Sequence, residues 1–188
     1  MWWVQLLNSI VGLLNGGAGG GAGSYESIAT IAGDGSSATI TFSSIPSTYT
    51  SLQLRANILT DTAGKTLLWR LNADTGTNYT AHSLYGSGAA AGANNSTIVT
   101  SSDFFNQVTG TGTTQPTAVI LDLHDYASTT KYKTVRSIAG VDKNGSGEID
   151  LNSGLWLSTA AVTSLTIRMS SGYFTTSSIF SLYGIKGA

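Results

Sequence analysis

The chain has 188 residues, a net charge of -1, only 10% charged residues and no cysteine. That length suits one β-domain with a sizeable core and is short for two. The near-neutral balance excludes the basic footprint of a nucleic-acid binder. The missing cysteines exclude disulfides and thiolate zinc sites, and no apolar run approaches the ~20 residues that span a bilayer.

Residues 1–14, MWWVQLLNSIVGLL, place Trp3, Leu6, Leu7, Ile10, Val11 and Leu14 at helical spacing. The segment has no Lys or Arg, unlike a signal-peptide n-region or a membrane-surface helix. A helix this short is marginal alone in water and needs a partner. Residues 15–23, NGGAGGGAG, read as a glycine-rich linker with little conformational preference. The expected organisation is therefore a docking segment (1–14), a linker (15–23) and a β-domain (24–188).

The β-domain opens with a strand over Tyr25–Ala32, a tight turn at Gly33-Asp34-Gly35 and a returning strand over Ala38–Phe42. Ile45-Pro46 marks a corner, because proline cannot donate to a central ladder. Leu52, Leu54, Ala56 and Ile58 then alternate against Gln53, Arg55 and Asn57. The next strand, within Lys65–Asn72, sets Leu67, Trp69 and Leu71 on one face, and Asn78–Tyr85 supplies a fifth. Residues 86–115 are Gly-, Ala-, Ser-, Thr- and Asn-rich, with short strands anchored at Ile98-Val99 and Phe104-Phe105. Loop regions this long are usually functional or contact-forming.

In Thr117–Tyr126 the pattern turns Val119, Leu121 and Leu123 inward and Ile120, Asp122 and His124 outward. Strands within Tyr132–Val141, Glu148–Leu157, Leu165–Met169 and Ser178–Lys186 complete the chain, the last returning to the sheet. Many short strands, frequent turn residues and almost no helix predict an all-β fold, an antiparallel, jelly-roll-like β-sandwich.

Asp142–Asp150, DKNGSGEID, imitates a calcium loop, with oxygen side chains at positions one, three, five and nine and Gly at six. Position twelve is Ser153 instead of a bidentate Glu, and the flanks are strand-like, so a hairpin turn is expected and no metal site. Asp122, His124 and His82 could form an acid-base or metal site. Solvent-face placement explains them better, and with only Glu26 and Glu148 as glutamates no enzyme and no cofactor is expected. Arg55, Arg70, Arg136 and Arg168 sit mid-strand and are candidate interface residues, Arg55 and Arg70 side by side, with Asp122 or a neighbour's acids as partners. Trp69, Trp156, Tyr79, Tyr85 and Tyr173 are either core or a sugar-stacking platform.

Four stretches carry a resemblance: SYESIATIAGDGSSATITFSSIPSTYTSLQLRA, LLWRLNADTGTNYTAHSLYG, DKNGSGEIDLNSGLWLSTAAVTSLTIRM and the closing FSLYGIKG. In this order they resemble a family of small tailed-bacteriophage virion proteins, over most of residues 24–188. The resemblance implies a β-sandwich on the particle exterior: a head decoration or cement protein, a fibre subunit or a tail-associated protein. It carries over no catalytic residue. On that reading Trp2, Trp3, Leu6, Leu7, Ile10 and Leu14 dock the chain into a hydrophobic site on the major capsid protein or a tail or fibre protein, or bundle with sister copies. A homo-oligomer follows, a trimer in particular, with neither nucleic acid nor membrane as partner. The alternative is an adhesin that binds host glycans through loops in 86–115.

Overall fold

The structure, a computed structural model, describes residues 24–100, 102–105 and 115–187. The expected docking segment and linker lie outside these. The described residues form twelve strands: β1 Tyr25–Ala32, β2 Thr39–Phe42, β3 Ser51–Ile58, β4 Leu67–Leu71, β5 Tyr79–Gly86, β6 Ala91–Val99, β7 Ser102–Phe105, β8 Thr117–His124, β9 Lys133–Asp142, β10 Gly147–Trp156, β11 Leu165–Met169 and β12 Ile179–Ile185. No helix occurs among the described residues.

The strands make an eight-stranded sheet, β1-β12-β3-β8-β9-β10-β5-β6, and a four-stranded sheet, β2-β11-β4-β7. Every pairing is antiparallel. The chain is all-β and sandwich-like, as the alternation predicts. One expected pairing is corrected. The strand after Gly35 does not return to β1, because it crosses to the second sheet and pairs with β11. Asp34 makes that crossing: its Oδ1 accepts from the backbone N–H of Ser36 (2.8 Å) and Ser37 (2.6 Å), a local turn that redirects the chain.

The alternation read from sequence decides which side chains meet between the sheets. Leu52, Leu54 and Ile58 of β3, Val119, Leu121 and Leu123 of β8, and Phe180 and Leu182 of β12 are buried from the large sheet. Phe42, Leu67, Trp69, Leu71, Leu165, Ile167 and Met169 answer from the small one. Aromatic edges lock the packing: Trp69 meets Tyr79 at 5.4 Å between ring centroids, and Phe174 meets Phe180 at 4.9 Å.

Several polar groups buried in this core are paired. Leu71 faces β11 on one side, and its own N–H and C=O turn toward the side where β7 pairs only Leu67–Trp69. Tyr79 Oη takes the place of a strand there, accepting from Leu71 N–H at 3.2 Å and reaching Leu71 O at 3.3 Å. Burial pushes the Tyr79 phenol up to about 12. Trp156 Nε1 donates to Asp74 Oδ2 at 2.7 Å. The partial burial of Asp74 opposes ionisation, but donors from Trp156, Asn78 and Gly76 outweigh it and hold the carboxyl below its usual range. Lys133, fully buried, donates from Nζ to Lys131 O (2.7 Å) and Thr159 O (3.2 Å). Desolvation lowers its pKa, against the pull of Asp125.

Candidate interaction surface

The strands that bury Leu121 and Val135 inward must present alternate residues outward, and register decides what gathers there. Cross-strand partners place Ile120 beside Ile138, Ile138 beside Leu151, and Leu151 beside Leu84. These four form one row across β8, β9, β10 and β5, with exposures of 40%, 43%, 52% and 60%. On one side of it runs Ala118, Gly140 and Ile149. On the other runs a polar row, Gln53, Asp122, Arg136, Ser153 and His82.

A shallow trough of about 560 Å³ lies in this face, floored by Ala118 and Gly140 and walled by Ile120, Ile138, Ile149 and Ile179. Its polar wall includes Arg55, whose guanidinium carbon stands 5.1 Å from the Tyr25 ring centroid and 5.3 Å from that of Tyr183. Arg55 Nε donates to Gln53 Oε1 at 2.6 Å, and Gln53 Nε2 donates to Asp122 Oδ1 at 2.7 Å. A relay of polar contacts thus runs from the β1 edge to the middle of the sheet.

Trp2, Trp3, Leu6, Leu7, Ile10 and Leu14 lie outside the described residues. Arg55 and Arg136 share the outer face of the large sheet, on β3 and β9. Arg70 and Arg168 lie on adjacent strands of the small sheet. Arg55 and Arg70 are therefore not side by side, since consecutive strands β3 and β4 belong to different sheets. Burial and the nearby Arg70 charge lower the Arg168 pKa.

Asp122, His124 and His82 are not brought together. His82 stands on β5, three strands from β8, roughly 14 Å away at ordinary strand spacing. His124 Nδ1 pairs with Ser51 Oγ at 3.1 Å, and among the described residues no three His, Asp or Glu side chains gather. Asp142–Gly147 is a hairpin turn between β9 and β10, with Lys143 N–H on Ser146 O at 2.7 Å and Asn144 N–H on Asp142 Oδ1 at 2.8 Å. Asn144 and Gly145 take the positive φ that such a turn needs, 56° and 105°. Of the five aromatic candidates, Trp69, Trp156 and Tyr79 are buried in the core and offer no ring face to a sugar.

The apolar row was the feature sequence reasoning missed. Alternation alone sends Ile120 outward. Only the register that aligns Ile120, Ile138, Leu151 and Leu84 turns four scattered residues into a surface. No protein-family model matches the chain, and no curated protein matches it.

Proposed function

We propose that the chain is an exterior structural subunit of a tailed-phage particle, a decoration, cement or fibre subunit, held there by residues 1–14. The four stretches beginning SYESIAT, LLWRLNA, DKNGSGE and FSLYGIKG support the reading through their resemblance to virion proteins. The observation that carries it in three dimensions is the apolar row on the outer face of the large sheet. A surface of this kind is expected on a domain that functions inside an assembly.

In this reading Trp2, Trp3, Leu6, Leu7, Ile10 and Leu14 enter a hydrophobic site on the major capsid protein or on a tail or fibre protein. Each large side chain so buried contributes about 1.5–3 kcal/mol before ordering costs. Residues 15–23 span at most roughly 30 Å, enough to let the segment and the sandwich take different orientations. Homo-oligomeric association multiplies the attachment by avidity. The subunit works without catalysis and without a cofactor.

Deleting residues 2–14 tests the proposal. The shortened chain should keep its β-sheet circular dichroism and disappear from purified particles. Incorporation at the parent copy number would overturn the docking role.

A tail-associated adhesin is the second reading, and exposed aromatic rings favour it: Tyr25, Tyr132 and Tyr173 are 47%, 55% and 38% exposed. Binding of the chain to a glycan array, lost on Tyr132→Ala or Tyr173→Ala, would select it.

A further inference from the structure

We propose that the outer face of the eight-stranded sheet is a two-fold interface between two copies of this chain, with the axis running along the strands between β8 and β9. The inference rests on the homo-oligomeric assembly proposed above and names the surface that makes it.

The sheet order puts β1, β12, β3 and β8 on one side of that axis and β9, β10, β5 and β6 on the other, so the axis passes through the centre of the sheet. A two-fold interface must be self-complementary, each residue meeting the counterpart of its own partner position. Rotation about this axis lays β8 on β9 of the partner subunit. In-register neighbours across β8 and β9 then face each other between copies.

Those neighbours are matched in chemistry. Asp122 pairs in register with Arg136, Ile120 with Ile138, and Ala118 with Gly140. Between copies, Asp122 meets Arg136 of the partner subunit twice over, an acid on a base. Ile120 meets Ile138 of the partner subunit, aliphatic on aliphatic. Ala118 meets Gly140 of the partner subunit, small on small, with the trough floors of the two copies facing each other. Arg136 is in no ion pair among the described residues; the two such pairs are Lys131–Asp125 and Lys186–Glu26. The same rotation lays β3 over β10, so Arg55 meets Leu151 of the partner subunit, its head drawn aside toward Tyr25 and Tyr183.

The size also fits. Six central strands at ~4.8 Å spacing and about eight residues long cover roughly 800 Å². A standard interface buries about that much on each partner. Sheets stacked in this way pack ~10 Å apart with strands aligned to within about 30°.

The experiment uses the full chain and its mass in solution, by light scattering and sedimentation, at concentrations up to about 100 µM. A dimer, or an even-numbered assembly built on one, is expected. Asp122→Arg and Arg136→Asp should each weaken association at least tenfold. Because each change also sets like charges on neighbouring strands of one chain, the deciding sample is the mixture of the two single variants. In the mixed pair both charge contacts are restored between copies while the clash within each chain persists, so recovery of a heterodimer can come only from the interface. Melting temperatures taken alongside show that all variants are folded. Ile138→Asp should likewise give monomers.

A monomeric parent, association untouched by the single variants, or a mixture as weak as its components would each overturn the proposal. So would a trimer insensitive to Ile138→Asp. Particle incorporation is read separately. A monomer that still joins particles defeats the dimer and leaves the virion reading standing, and a dimer absent from particles does the reverse.

Discussion

Replacing Tyr79 by Phe isolates one polar contribution to the core. The ring lies fully buried and edge-on to Trp69 at 5.4 Å, and Phe keeps that packing. What disappears is the hydroxyl that Leu71 N–H donates to at 3.2 Å and that reaches Leu71 O at 3.3 Å and Asp74 O at 3.2 Å. Leu71 is itself fully buried, so water cannot replace the lost partner. An orphaned buried backbone group costs about 1–3 kcal/mol. Tyr79→Phe should therefore destabilise by about 2 kcal/mol, equivalent to a fall in Tm of about 4–8 °C for a chain of this size. Equilibrium urea unfolding, followed by tryptophan fluorescence, measures it as a drop in midpoint at unchanged slope. Tyr132→Phe, at a ring 55% exposed, is the control and should change nothing. A Tyr79→Phe loss under about 0.5 kcal/mol would refute the view that the hydroxyl stands in for a missing strand.

Asn72→Ala should cost about 2–3 kcal/mol. It removes the side chain that receives Thr163 N–H (2.8 Å) and Ser164 N–H (3.2 Å) and donates to Ala161 O (2.8 Å), which should show as faster amide exchange in 158–164. Gly33→Ala should lower stability by about 1–3 kcal/mol in the same urea assay, because a Cβ there would stand 2.2 Å from the Thr175 carbonyl oxygen. Stability should also fall in acid. Asp34 is held below its usual range by the Ser37 hydroxyl and the Ser36 and Ser37 N–H groups, Glu26 by Lys186 and Tyr49, and Asp125 by Lys131. Folded pKa values depressed in this way give stability that is complete above about pH 4–5 and lost as pH drops through the folded values. A urea midpoint that stays flat or rises from pH 5 to pH 2.5 would contradict these assignments.

The fold was largely legible because several strands, β3, β8 and β9 among them, bury one face. Alternation at Leu52–Ile58 and Val119–Leu123 reports that burial directly, and Asn144-Gly145 announces its hairpin. Sheet membership was not legible. The Gly33–Gly35 turn reads as a hairpin because local residues cannot show that Asp34 steers the chain to another sheet. Arg55 and Arg70 read as neighbours for the same reason, since adjacency in sequence does not give adjacency in space. The outer apolar row needs registers between strands as distant as β5 and β10, which no local pattern encodes. Trp69 and Tyr79 show the reverse case, where a pattern legible as core was also open to a binding reading until burial closed it.

Electron cryomicroscopy of purified phage particles tests the proposed virion role. Sandwich density is expected on the particle exterior, connected through residues 15–23 to a segment whose Trp2 and Trp3 side chains sit in a hydrophobic site of the shell, tail or fibre protein. Particles that lack the sandwich, or residues 1–14 folded back on their own domain with no contact to another virion protein, would contradict it.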